Sequence, residues 1–326
     1  MSIIAVSGAS GFVGRHLCPQ LQSLGHEVFE LARGDLAADK LGGRLEGVEV
    51  LVHLAGRAHV LRETSPDPRA EFWKSNVGLT QLAARASKAA GVKRFVFLSS
   101  AGVLGASSPT GGFDDDSPAN PHDDYTASKL EAEACLDAEL SRDMQLVIVR
   151  PPLIYGPGAR GNFMRLMRLA LKGWPLPIGG FRAQRSMIGI RNMVDLIGVV
   201  ATDRQVTRAT VLAADQETIS IAELFSMVSR LAGHAPWLAP MPPVLIRWLL
   251  AVAGRRSDIV RLTDPFVLRP ALARSQFGWM PPYLLQDELR RHVPSVADRP
   301  KNRTREGAAR DHEPAAGRSC QPLGVR

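Results

Sequence analysis

The sequence predicts an α/β fold: a parallel sheet with helices on both faces, followed by a smaller C-terminal substrate-binding region. Three observations carry this. Short β-rich runs alternate with helical patterns through the first half, a glycine-rich turn joins the first strand to the first helix, and proline and glycine dominate the texture after Arg150. Strands separated by helix-length segments are joined by crossovers rather than hairpins, so they lie parallel and need helices over both faces.

The elements follow in order. Ile3–Val6 reads as the first strand, and the glycine turn after it opens a helix over Gly11–Leu24. Glu27–Leu31 is the second strand. Only sixteen residues then separate Arg33 from the strand Val50–Leu54, which leaves little room for a further helix and strand. Pro68–Ala90 has helical spacing and is stopped by Gly91, with Lys93 and Arg94 beyond. Phe95–Ser99, Asp124–Leu140 and Leu146–Val149 read as strand, helix and strand. Pro151, Pro152, Pro157, Pro175 and Pro177 predict loops and short elements in place of another strand–helix series. The expected organisation is a dinucleotide-binding domain over 1–150 and a substrate-binding region over 151–294, interleaved with the first. Residues 295–326 show no apolar periodicity and are expected to form a disordered tail.

Composition narrows the function classes. With 326 residues, 45% hydrophobic and 22% charged, the chain is neither disordered throughout, nor collagen, nor a membrane bundle. Cys18, Cys135 and Cys320 lie far apart, so no disulfide framework and no paired-cysteine metal site is expected, and a reducing cytoplasm is the expected home. The start MSIIAVSGAS carries no leader pattern. Val244–Ala253 is interrupted by Arg247 and is about half the length of a membrane span, so it reads as a core helix, with membrane-surface contact as the alternative. The net charge is +8, but the tail from Ala297 holds seven basic against four acidic residues, so an anionic small molecule fits as a partner at least as well as nucleic acid.

Gly8-Ala9-Ser10-Gly11-Phe12-Val13-Gly14 follows a strand and opens a helix, the context in which this spacing signals a Rossmann-type dinucleotide site. Gly8 permits the tight turn, Gly11 admits a pyrophosphate close to the backbone, and Gly14 lets the helix pack on the sheet, while helix N–H groups face the phosphates. The second strand ends Glu30-Leu31-Ala32-Arg33, where a NAD-binding acid would fall near Ala32. Arg33 and Arg15 without that carboxylate favour the 2′-phosphate of NADP(H). NAD(H) is the alternative, through Glu30 if the register shifts, with the arginines as solvated charges.

Tyr125 and Lys129 are four residues apart on one helical face, and Ser99-Ser100 ends a strand at the sheet edge where such folds bind ligands. A phenol beside an ammonium, with a hydroxyl to hold the substrate oxygen, makes an acid/base for carbonyl–alcohol chemistry beside a nicotinamide.

The sequence resembles the extended short-chain dehydrogenase/reductases of the nucleotide-sugar epimerase/dehydratase family over about residues 2 to 293. The likeness rests on GASGFVG (8–14), VHLAG (52–56), Asn76, FLSSAGVLG (97–105), YTASK (125–129), RPPLIYGPG (150–158) and RSMIGIRNMVD (185–195). The resemblance selects Ser100 over Ser99 as the catalytic hydroxyl beside Tyr125 and Lys129. It assigns Gly8, Ser10, Gly11, Phe12, Val13, Gly14, Arg15, Arg33, Leu54, Ala55, Gly56, Asn76, Tyr125, Lys129 and Pro151 to the cofactor. Asn162-Phe163 and Leu176-Pro177-Ile178 resemble the family's phosphate and nucleobase contacts. Arg185 matches its diphosphate-binding arginine, and Arg261 is either the second such arginine or a surface charge. With Ser100 and Tyr125, these residues form the implied substrate site. Leu104 replaces the family's frequent tyrosine, and Ala101 and Gly102 stand where a 4,6-dehydratase adds an acid pair.

The leading expectation is NADP(H)-dependent reduction of the C4 keto group of a UDP-4-keto-6-deoxy-N-acetylhexosamine, as in surface-polysaccharide (O-antigen, lipopolysaccharide) sugar biosynthesis. The alternatives are a UDP-sugar 4-epimerase retaining NAD and a non-catalytic dinucleotide sensor. A nucleotide sugar is the expected partner, neither nucleic acid nor stable membrane insertion is expected, and a homodimer is left open.

Overall fold

The computed structural model describes residues 1–58, 65–159, 161–239, 241, 244–245 and 263–293. Arg261, nearly all of Val244–Ala253 and the tail from 295 fall outside them, as does the side chain of Asn162. Six parallel strands make the main sheet: β1 (Ile3–Ser7), β2 (Glu27–Leu31), β3 (Val50–His53), β4 (Arg94–Leu98), β6 (Gln145–Arg150) and β9 (Arg208–Leu212), in spatial order β2-β1-β3-β4-β6-β9. Between Arg33 and β3 there is room only for a 3₁₀ turn, Arg33–Leu36, and the one-turn helix α2, Leu41–Arg44. The described residues therefore place no strand outside β2, which forms an edge.

Strand alternation sorts the core onto two faces. Ile4, Val6, Val50, Val52, Val96, Val147 and Val149 face α1 (Gly14–Ser23) and α7 (Ile190–Thr202). Ala5, Leu51, Phe95, Phe97, Leu146 and Ile148 face α4 (Leu79–Ala89) and α5 (Asp124–Glu139). The central strands β1, β3, β4 and β6 are thus buried on both sides, which explains their nearly continuous apolar runs, whereas the edge strand β2 is largely exposed.

Two expectations need correction. After Pro151 the chain does form a further helix–strand pair: α7 packs on α1 and leads to β9, the sixth strand. Proline and glycine punctuate only the loops before it, while Ile190–Ala201 is apolar nearly all round because the sheet, α1 and neighbouring elements enclose it. Buried Arg94 anchors this helix, donating to the carbonyls of Val200 at 2.6 Å and Val206 at 2.8 Å. The single helix expected over Pro68–Ala90 is three segments: α3 (Pro68–Phe72), a π-helical turn (Trp73–Gly78) and α4.

The second half also forms a three-stranded sheet of β7 (Leu153–Tyr155), β8 (Gln184–Gly189) and β10 (Thr218–Ser220), with α6 (Asn162–Leu171), α8 (Ile221–Leu231) and the helix Leu285–His292, while the short strand β5 (Phe113–Asp114) pairs with Leu268–Arg269 and the helix Ala271–Phe277 packs on β9. Its core is joined to the main sheet through buried Asp215. This carboxylate accepts from Tyr155 Oη at 2.7 Å, Asn192 Nδ2 at 2.7 Å and the Gly189 N–H at 3.1 Å. Among the described residues no helix is long and apolar enough to cross a membrane.

Candidate active site

The glycine turn is forced by close packing. Gly8 has φ of 73°, and a Cβ there would lie 2.8 Å from the Ala55 nitrogen. A Cβ on Gly14 would lie 2.5 Å from the Gly8 carbonyl oxygen, so helix α1 can approach β1 only as glycine. The first turn of α1 has no acidic residue and no side-chain cap. An uncapped helix start behind a glycine turn suits an anionic pyrophosphate, so the residues fit a dinucleotide. Val13 is buried in the core and Phe12 packs edge-on against His16 at 5.6 Å. These two shape the turn through packing. Ser10 and Arg15 are exposed, and Arg15 approaches the loop after β7: a Cβ on Gly158 would lie 3.9 Å from its Nη2.

At the tip of β2 the register is Val6↔Glu30 and Ser7↔Leu31. Glu30 acts on the buried Cys18 thiol of α1, which burial and this carboxylate push up to about 11. Asp35 is also engaged, accepting from the Ala32 N–H at 2.9 Å and lying 3.4 Å from Arg44 Nε. Arg33 is exposed at this strand end.

Ser100, Tyr125 and Lys129 converge from two elements. Ser100 follows β4 and caps the 3₁₀ turn Ala101–Leu104, its Oγ accepting from the Gly102 N–H at 3.1 Å. Asp123 caps α5, accepting from the Thr126 N–H at 2.8 Å, and so places Tyr125 in the first turn and Lys129 one turn on. Burial pushes the Tyr125 phenol up to about 12, the Ser100 hydroxyl bonded to it works downward, and Asp123 upward. Lys129 is buried with Nζ 4.2 Å from the Phe97 ring centre, and burial lowers its ammonium to about 7 against the upward pull of Glu133. Ser99 is not part of this surface. It is buried and donates to Glu133.

Asn76 occupies the π-helical turn, and its Oδ1 accepts from the Arg57 N–H at 2.7 Å. Its Nδ2 donates to Ser128 Oγ at 2.8 Å. A π-turn inside a helix redirects side chains by one extra residue, and such turns concentrate at functional sites. Gly56 lies over this group: a Cβ there would be 2.9 Å from Asn76 Oδ1 and 3.7 Å from Lys129 Nζ. Ala55 is buried beside Gly8, Leu54 is half-buried, and the buried Pro151 accepts from the Ala101 N–H at 2.8 Å.

The implied substrate residues are more dispersed. Arg185 Nη1 donates to the Asp264 carbonyl at 2.8 Å, and its guanidinium lies 5.5 Å from the Phe266 ring centre. Pro177 is exposed on the segment bridged to Leu238. The Phe163 side chain is buried against Tyr155, 5.7 Å between ring centres, because the apolar face of α6 points into the second core.

Sequence reasoning gave no role to His53, Ser7, Thr80, Ser128, Glu133 or Arg150. His53 is fully buried between Ser7 Oγ at 2.7 Å and Thr80 Oγ1 at 3.2 Å. Glu133 was detectable in principle, four residues beyond Lys129 on an otherwise apolar helix face.

The family model described as the NAD dependent epimerase/dehydratase family matches residues 4–213. A UDP-glucose 4-epimerase from Vibrio cholerae is 34% identical over 309 residues, 87% of this chain and 92% of that protein. A ceramide reductase from Caulobacter vibrioides is 28% identical over 301 residues, 86% of each chain. The solved structure of MoeE5 in complex with UDP-glucose and NAD matches with a TM-score of 0.73 at 26% identity, covering 89% of this chain and 97% of that one.

Proposed function

The chain belongs to the NAD dependent epimerase/dehydratase family, and from that premise we propose that it performs hydride chemistry at C4 of a UDP-linked hexose. It is an NAD(P)-dependent enzyme of the extended short-chain dehydrogenase/reductase type. The observation that carries the proposal is the convergence of Ser100, Tyr125 and Lys129 beside Gly56 and Asn76, on the edge that holds the glycine turn.

The dinucleotide, when bound, supplies or accepts the hydride. Tyr125 moves the proton at the C4 oxygen, and Ser100 donates a hydrogen bond to the same oxygen. Lys129 favours the phenolate through its charge and holds the nicotinamide ribose. Arg185, oriented by Asp264 and Phe266, is the cation we assign to the diphosphate.

Within this chemistry we favour NADP(H)-dependent reduction of a UDP-4-keto-6-deoxy-N-acetylhexosamine. Glu30 and Asp35, the carboxylates at the β2 end, are turned to Cys18 and to Ala32 with Arg44, which leaves Arg33 exposed where a 2′-phosphate would sit. A phenol held near 12 is protonated at neutral pH and suits proton donation to a developing alkoxide. The second reading, a 4-epimerase with retained NAD, is favoured by the relative from Vibrio cholerae.

Incubation with a panel of nucleotide sugars and each nicotinamide tests both. NADPH absorbance falling in one-to-one proportion to product supports reduction. Interconversion of C4 epimers with no added nicotinamide installs the second reading, and no turnover of any nucleotide sugar overturns both.

A further inference from the structure

Behind the catalytic surface lies a buried charged cluster that the proposed mechanism leaves unused. Glu133, 4% exposed, accepts from Arg150 Nε at 3.0 Å and from Arg150 Nη2 at 2.5 Å, a bidentate pair. The buried Ser99 hydroxyl donates to the same carboxylate. These three residues belong to three parts of the site. Ser99 precedes Ser100, Arg150 precedes Pro151, and Glu133 lies one helical turn beyond Lys129 on the same face of α5. Replacing an ion pair of this kind with apolar residues often leaves a protein as stable or more so, so stability alone does not account for burying it.

We propose that Glu133 is a positioning residue for the reaction: clamped by Arg150 and Ser99, it is the buried counter-charge that keeps Lys129 an ammonium and aligns its helix turn with the Ser100 strand end. Lys129 is enclosed by the Phe97 ring of β4, the Asn76 amide beneath Gly56, and the helix α5 itself. The titratable groups around it are Tyr125 and Glu133 on α5 and His53 on β3. His53 is held neutral by burial and by Lys129. Glu133 is thus the carboxylate that offsets the cost of burying this cation. The inference rests on Lys129 belonging to the hydride-transfer site, but its test needs no substrate.

The full chain is labelled isotopically at lysine, and the side-chain resonance of Lys129, identified by its loss in Lys129→Arg, is followed against pH. In Glu133→Gln the Lys129 ammonium should lose its proton about one pH unit or more lower than in the unmutated protein. Should that variant fail to fold because Arg150 is left unpaired, the double exchange Glu133→Gln with Arg150→Met removes that unpaired guanidinium and should move Lys129 in the same direction, though by less, because a positive charge leaves with the negative one. A Lys129 titration unmoved in whichever variant folds overturns the proposal and makes the cluster structural only. Since this titration is read without substrate, an unmutated protein that turns over no nucleotide sugar overturns the proposed function alone.

Discussion

The Asn76 amide donates to the Ser128 hydroxyl at 2.8 Å, and that hydroxyl in turn donates to the Tyr125 carbonyl at 2.8 Å. A π-helical turn is thereby bonded directly to the helix turn that carries the phenol. Asn76 also holds the Arg57 N–H and carbonyl, so the same amide fixes the strand end beside Gly56. Asn76→Ala should destabilise the fold by about 1–3 kcal/mol, because buried polar groups lose their partners. Turnover should fall even at temperatures where the variant is fully folded. Thermal unfolding and steady-state rates on the same preparation check both, and unchanged turnover would separate Asn76 from the site.

Neighbouring serines should divide stability from catalysis. Ser99 is buried against the Glu133 carboxylate, and a hydrogen bond to a charged group is worth about 1.5–3 kcal/mol. Ser99→Ala should therefore lower the unfolding free energy by about that amount. Ser100→Ala, which loses the cap on the Gly102 N–H and the contact with the phenol, should cost less stability, about 1 kcal/mol, and lower kcat. The reverse pattern would show that the substrate hydroxyl is Ser99.

Removal of the phenolic proton should be more severe. General acid–base help is typically worth 10²–10⁴-fold, so Tyr125→Phe should lose at least about 100-fold in kcat while dinucleotide binding persists. Activity retained within about tenfold would remove Tyr125 from the mechanism.

The central strands β1, β3, β4 and β6 were legible because each is buried on both faces and reads as a nearly continuous apolar run. The glycine turn was legible because sterics at Gly8 and Gly14 permit nothing else. Asn76 could be placed by resemblance, but its π-turn could not be foreseen. One extra residue per turn leaves no mark on apolar spacing over so short a segment. The burial of the Phe163 ring could not be read from its motif, because a motif position says nothing about which way a helix face points, and the apolar side of α6 decides that. Strand β9 escaped notice since Arg208–Leu212 is half polar at its start, and its place beside β6 is set by α7 folding back onto α1.

Asp215 should leave a signature in the pH dependence of stability. Burial raises its carboxyl from the ordinary 3.8 to about 6, against the hydrogen bonds from Asn192, Tyr155 and Gly189. Between these values the folded protein holds a proton that the unfolded chain has released, so stability from this group falls as pH rises through the window. The cost is complete above about 6, on the order of 3 kcal/mol. Asp215→Asn should lower stability overall by leaving donors facing donors, yet remove this part of the slope. Denaturant titrations at several pH values between 4 and 7 measure it. An unchanged slope in the variant would assign the dependence elsewhere.

Cofactor choice follows from the strand end at Ala32. Glu30 interacts with Cys18, Asp35 with the Ala32 N–H and Arg44, and Arg33 is exposed beside them. A 2′-phosphate adds charge that Arg33 can meet with two parallel hydrogen bonds, and hydrogen bonds to charged groups are worth about 1.5–3 kcal/mol. Arg33→Ala should therefore weaken NADPH roughly 10- to 100-fold and NADH little, since NADH carries no phosphate at that carbon. Arg15, the second exposed arginine expected at the 2′-phosphate, should behave alike, so Arg15→Ala should also weaken NADPH more than NADH. Fluorescence titration of the unmutated protein and both variants with each reduced dinucleotide reads these ratios. Tighter binding of NADH than NADPH by the unmutated protein would contradict the argument from Arg33 and move the balance to the epimerase with retained NAD.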